Sequence, residues 1–222
     1  QSATFATATL TTAQLAGADL RGASFSDANL DGAVLDGAEL GGATFTGASF
    51  AQASLENVDL YAQDLHGLNF SGASLRGTVL DYSDLAGANL AGAVLGVPDG
   101  SSAQPASMIA AYMPNVNLSS ADLRNVDLSG AHLYGDSAQT SLDQALLDGA
   151  TLVNAICSGA RFTQASLNGA VLDGAQLVNC TFVEADLTDA RLDTAYLQGA
   201  DFSVAASVAG IDLSNAAVAT TA

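Results

Sequence analysis

The sequence predicts an all-β solenoid, a coil that returns over itself every twenty residues, and three observations predict it. A leucine or phenylalanine occupies every fifth position from Phe5 to Leu95, nineteen times in succession. Glycine recurs two places after that residue, as at Gly17, Gly22, Gly32, Gly37, Gly42 and Gly47. Phenylalanine replaces leucine in sets twenty apart: Phe5, Phe25 and Phe45; Phe50 and Phe70; Phe162, Phe182 and Phe202.

A period of five fits neither the 3.6-residue repeat of a helix nor the two-residue repeat of a strand, so the chain reads as stacked copies of one short unit. The large apolar residue is the centre of the unit. Two places before it stands alanine in fourteen of the nineteen units, the exceptions being Val58, Gln63, Leu68, Thr78 and Ser83. One place before it stands, most often, Asp, Asn, Ser or Thr. Centre and alanine therefore point inward and the remaining positions face water. The recurrent glycine marks a backbone position of positive φ, as in a type II turn, and each unit ends in a corner. Four units close one circuit, which gives a square cross-section and stacks the phenylalanine rings along one inner wall.

The pattern stops after Leu95, and residues 96–107 have loop composition, with Pro98 and Pro105 inside them and Pro114 just beyond. It resumes in a new register at Met108 and runs to Leu133. A second slip spans 134–141, after which centres run from Leu142 to Phe202 with Cys157 among them. A third slip leads to Val208, Leu213 and Val218, with Ala206, Ile211 and Ala216 behind them. These slips read as excursions from one continuous domain over 1–222: coils 1–95, loop 96–107, coils 108–133, short loop 134–141, coils 142–218. Twenty residues per turn give about ten coils and, at ~4.8 Å per coil, a rod roughly 50 Å long. Each coil buries about four large side chains worth on the order of 1.5–3 kcal/mol apiece, so the core needs no metal or disulfide.

Units such as Ala18-Asp19-Leu20-Arg21-Gly22, Ala28-Asn29-Leu30-Asp31-Gly32 and Ala88-Asn89-Leu90-Ala91-Gly92 follow the loose form A(D/N)LxG. Over nearly the whole chain this resembles the pentapeptide repeat proteins. The resemblance implies a right-handed quadrilateral parallel β-helix. It is specific for fold and weakly specific for function, since one fold hosts many roles.

Charge bounds the partners. The chain has 23 acidic residues against five arginines, no lysine, and a net charge of −18. Nucleic acid and anionic membrane surfaces are disfavoured, and a basic protein surface is favoured. Net charge also keeps an Ala-, Leu- and Gly-rich rod soluble. The arrangement adds more: Asp19, Glu39 and Asp59 are one coil apart, as are Asp64 and Asp84, and Asp173 and Asp193. Such columns place carboxylates ~5 Å apart and concentrate negative potential. Along the rod the density is about one charge per 3 Å, roughly half that of double-stranded DNA.

The resemblance sharpens this reading, because it is to a family whose acidic members imitate DNA, occupy the DNA-binding saddle of type II topoisomerases and protect them from quinolones. It implies DNA gyrase or topoisomerase IV as partner, with the acidic columns and the 96–107 loop carrying Asp99 as the contact, and a cytoplasmic setting. Two departures stand against it. Residues 203–222 show no helical periodicity or caps where such mimics carry a dimerising C-terminal helix, and later coils carry outward Val153, Ile156, Val171, Val178 and Val183, a candidate interaction patch.

A second reading comes from the ends. Gln1 is not methionine, Phe5 is already in register, and the pattern persists nearly to Ala222 without a signal peptide or apolar span. An abrupt coil end exposes strand edges. The chain then reads as a processed form or a rigid spacer domain of a larger secreted or surface protein. Ice binding, a third reading, needs flat threonine ladders; Thr44 and Thr46 begin one that neighbouring coils break.

Enzymatic chemistry finds little support. His66 and His132 are outward, in different registers and without ligand-spaced partners, and no triad or phosphate-loop signature appears. No cofactor is expected. Cys157 takes a centre position and Cys180 a small-residue position, 23 apart, which reads as two buried reduced thiols. Gln63, in the alanine role, is expected to be a buried amide bonded to the coil backbone.

Overall fold

Five residues suffice to run a short extended step and turn a corner, and the chain repeats that operation throughout the computed structural model, which describes residues 3–135 and 140–218. No described residue is helical; the regular structure consists of isolated parallel bridges. The residue before each centre pairs with its counterpart one coil on: Thr4 with Ser24, Thr9 with Asn29, Gln14 with Val34 and Asp19 with Glu39. These start four columns, here the first to the fourth. In each, the centre donates upward and its successor donates back, as Leu10 N–H to Asn29 C=O at 2.7 Å and Asn29 N–H to Ala8 C=O at 2.9 Å.

The columns absorb the register slips. Spacing is twenty residues up to Ser74 with Val94, 28 from Val79 with Ser107 to Val94 with Asp122, and 24 from Asn117 with Ser141 to His132 with Ile156. It is 21 from Asp186 with Ser207 to Tyr196 with Ala217. Pairing therefore resumes in the same column after each insertion. Part of the 134–141 loop expected from sequence, residues 136–139, lies outside the described residues, as do 1, 2 and 219–222.

Inside, the centres and the small residues two places before them form one buried cluster from Leu20 to Leu197. The phenylalanine sets stack: ring centroids lie 5.0 Å apart for Phe5 and Phe25, 5.2 Å for Phe50 and Phe70, and 4.7 Å for Phe182 and Phe202, all nearly parallel. Cys157 and Cys180 are buried free thiols, and the Cys180 thiol donates to the Cys157 carbonyl at 2.9 Å. Burial pushes both thiols up, Cys180 to about 12. In the last described coil Val208, Leu213 and Val218 are exposed.

Corners close with a hydrogen bond of the Ala8 N–H to Phe5 C=O type, 2.9 Å, although Val58 N–H makes no such bond to Leu55 C=O, and the second corner residue has positive φ except at Val204. Glycine holds only part of these corners. Thr7, Thr12, Gln52, Tyr82 and Glu184 adopt φ of 56° to 58° at equivalent places. The ladder on either side over-determines the backbone, so the corner forms even where the side chain resists it.

One seam departs from the pattern. No bridge joins Glu39 to Asp59 or Thr44 to Asp64, and the ladder bonds Asp59 N–H to Ala38 C=O, Leu40 N–H to Asp59 C=O, Asp64 N–H to Ala43 C=O and Phe45 N–H to Asp64 C=O are not formed. The seam lies below three consecutive units in which Val58, Gln63 and Leu68 replace alanine. Val58 and Leu68 are buried; Val116 and Val126 take the same role singly with their bridges intact, so the seam coincides with a run of three such residues and not with bulk at one position. Gln63 is not the buried amide that its place in the unit predicts: it is only half-buried, and its side chain lines a cleft. The opened seam exposes it to solvent.

Candidate protein-binding surface

An outward carboxylate on this coil first serves the backbone. The N–H of the first corner residue takes no part in the ladder, and the side chain one place before the centre bends over to accept it: Asp59 from Tyr61 N–H and Asp84 from Ala86 N–H, each at 2.9 Å. Asn29 and Asn117 do the same. Corner carboxylates reach the next coil instead, as Asp36 does to Ser54 Oγ at 2.6 Å and Glu56 N–H at 2.9 Å. Asp and Asn recur before the centre because a short side chain with an oxygen at that reach forms an Asx-type turn.

The cations are already engaged. Arg21 pairs with Asp19 at 2.7 Å and Glu39 at 3.2 Å, Arg76 with Glu56 at 3.2 Å, Arg124 with Asp122 at 2.7 Å, Arg161 with Asp143, and Arg191 with Asp173 at 2.5 Å. All five arginines of the chain are thus neutralised locally. Hydrogen bonds from the Arg21 guanidinium, then its backbone N–H, lower the Asp19 carboxyl to about 2. Asp64 accepts from His66 Nδ1 at 2.5 Å, which raises the imidazole above its ordinary range and lowers the carboxyl.

Seven of the eight acids singled out from sequence fall on one edge of the coil. Asp19, Glu39 and Asp59 belong to the fourth column and Asp64 and Asp84 to the first, while Asp173 and Asp193 occupy the corner between those columns. Asp64 bridges Asp84, and Asp193 N–H donates to Asp173 Oδ1 at 3.1 Å. The Asp19, Glu39, Asp59 series is interrupted by the seam and ends at Val79. Asp99 stands apart, in the excursion after the third column, where Asn125 Nδ2 donates to it at 3.0 Å. The later valines and Ile156 are each half-buried, Ile156 in the first column, Val171 in the fourth, and Val153, Val178 and Val183 in corners.

Sequence reasoning passed over the tyrosines. Tyr112 and Tyr196 lie in the first column, Tyr61 and Tyr82 in the corner before it, and Tyr134 in the corner after it. His132 lies in that column and His66 in the corner after it. These are all the tyrosines and histidines of the chain. The signal was present: counted by coil with the slips removed, their positions coincide. Beside them, the open seam forms a cleft of about 420 Å³ lined by Arg21, Glu39, Asn57, Asp59, Tyr61 and Gln63. Among the described residues no group of three or more His, Cys, Asp or Glu could hold a metal ion, and no helix is long and apolar enough to cross a membrane.

Known proteins of the same build share the repeat. No curated protein matches the chain. Among solved structures, HetL, a pentapeptide repeat protein involved in heterocyst differentiation regulation from the cyanobacterium Nostoc sp. strain PCC 7120, is 30% identical. That match covers 94% of this chain and 87% of HetL with a TM-score of 0.52. A trypsin-treated form of QnrB1, a plasmid-mediated fluoroquinolone resistance protein, is 20% identical over 99% of this chain and 92% of its own, with a TM-score of 0.56. The pentapeptide repeats family matches in eight copies, over residues 1–27, 23–61, 64–96, 106–135, 138–169 and 165–203. From these matches and its twenty-residue bridge spacing, the chain belongs to the pentapeptide repeat family, whose members form right-handed β-helices.

Proposed function

We propose that the chain is a single four-sided rod of about ten coils that works as a non-enzymatic binding module for a basic protein surface. The DNA-binding saddle of DNA gyrase or topoisomerase IV is the surface it fits best, approached as DNA would approach it. The observation that carries this reading is the uncompensated charge: net −18, with all five arginines already paired to acids of the rod itself. Such a surface attracts cationic partners at long range and repels nucleic acid and anionic lipid. The likeness of the backbone to QnrB1, a fluoroquinolone resistance protein, supports the choice of enzyme. A gyrase supercoiling assay with and without a quinolone tests it. Inhibition, or protection from the drug, at micromolar protein is expected, and neither effect would remove topoisomerase as the partner.

A further inference from the structure

We propose that the flank formed by the first column and the corner before it is the docking face, and that it takes an extended basic peptide segment whose cationic side chains lie on tyrosine rings between carboxylates. The proposal rests on the reading of the chain as an acidic binding rod and names the side that binds.

Outward positions on the four columns are equivalent to the fold, so nothing in coil closure requires tyrosine to segregate. It does so completely: every tyrosine and histidine of the chain lies on or beside the first column. Tyr61, Tyr82 and Tyr196 are more than half exposed, at 55%, 59% and 53%. The rings of Tyr61 and Tyr82 are 5.6 Å apart and tilted by 58°, an open notch rather than a closed stack. Asp59, Asp64, Asp81 and Asp84 stand on the same two coils, within three residues of one ring or the other. Tyr112, His132 and Tyr134 continue the aromatic line at centroid separations of 6.0 to 6.3 Å. No arginine lies in the first column, and Arg21, in the corner before it, is held by Asp19 and Glu39.

Aromatic faces and carboxylates together select cations: the ring attracts an ammonium or guanidinium electrostatically and the acid supplies the counter-charge. An anionic chain would meet only repulsion here. From the Asp64 step to Tyr196 the first column advances by six bridged steps, about 29 Å at ~4.8 Å each, the span of roughly eight or nine extended residues. The seam beside Tyr61 adds a recess for one side chain. The carbonyls of Ala38, Ala43, Asp59 and Asp64 lack their ladder donors there, and the cleft of about 420 Å³ has Glu39 and Asp59 on its walls. Arg21, also on its walls, is held by Asp19 and Glu39, and an arginine side chain entering beside it meets carbonyls that the ladder leaves without donors.

The test titrates the full chain with a fluorescent nine-arginine peptide at about 150 mM salt, where unspecific attraction is screened beyond about 8 Å. The Tyr61→Ala, Tyr82→Ala pair is expected to weaken binding about tenfold, as the loss of two exposed cation–π contacts predicts. The corresponding Tyr→Phe pair keeps both rings and is expected to bind within about twofold of the native chain. Asp64→Asn with Asp84→Asn is expected to weaken binding more than Glu184→Gln with Asp186→Asn, which removes the same charge near the third column. Equal losses from both acid pairs, or a silent Tyr→Ala pair, would overturn the docking face. So would Tyr-dependent binding of a neutral oligosaccharide with none of the peptide. A native chain that inhibits gyrase but ignores the peptide sinks this proposal alone; failure in both assays sinks the parent reading as well.

Discussion

Asp59 illustrates how an outward side chain on this rod answers to the backbone before it answers to any partner. Its carboxylate takes the one corner N–H that the ladder leaves over, so acid on the surface is partly a consequence of turning a corner every five residues. Asp64 has a further neighbour. Its hydrogen bond to His66 holds the imidazole above its ordinary 6.5. A raised folded pKa means that the pair contributes stability in full below the unfolded value and loses it as pH rises through the folded one. An NMR titration should place His66 above its ordinary value, and Asp64→Asn should bring it back. A native midpoint at or below 6.5 would contradict the contact. Thr12 carries a different strain, a β-branched residue at φ 57°. Relief of left-handed strain is worth about 1–2 kcal/mol, and the added freedom of the unfolded chain takes back about 0.4–1 kcal/mol. Thr12→Gly is therefore expected to raise the melting temperature slightly. A fall would show that the threonine methyl, which faces Gly32, matters more than its backbone.

At the scale of the coil, stability is a sum of contacts with the coil before and the coil after, and the weakest sum sets where the rod opens. Between the coil holding Leu40 and Phe45 and the coil holding Asp59 and Asp64, four ladder bonds are missing on the fourth and first columns and a fifth, Asn69 N–H to Ala48 C=O, on the second. Gln63→Ala restores the small residue there. Hydrogen exchange should then slow at the Leu40, Phe45, Asp59 and Asp64 amides while amides of distant coils, such as Leu172, keep their rates. Unchanged exchange at the four would assign the seam to Val58 and Leu68 instead. The three excursions show the opposite tolerance. Eight, four or one added residues leave the columns in register, because each corner is already at the surface and loop length costs little.

Across the whole molecule, charge acts against compactness. With the arginines engaged, the net −18 is spread over a narrow rod and repels itself. Raising salt from about 10 to about 150 mM shortens the screening length from about 30 to about 8 Å, so the melting temperature should rise by a few degrees. A fall would mean that pairs such as Arg124 with Asp122 outweigh the general repulsion. The same screening should weaken binding to any basic partner, and the two salt effects have opposite signs, which separates folding from recognition.

The sequence by itself determined the coil: the five-residue unit, the twenty-residue return, the inward phenylalanine stacks and the places where register slips are all local and periodic, and periodicity is what a sequence displays directly. It also located the acids that share the edge between the fourth and first columns. Tertiary structure alone decided the rest. The carboxylates before the centre take amides or arginines two residues on, but those in the corners bind hydroxyls, amides and arginines 18 to 20 residues away, which only the closed coil brings near. The tyrosine line became one flank only when insertions of unequal length were folded out of the count. The seam at Gln63 coincides with three bulky residues in succession, where Val116 and Val126 singly leave their bridges intact, so no single position announces it.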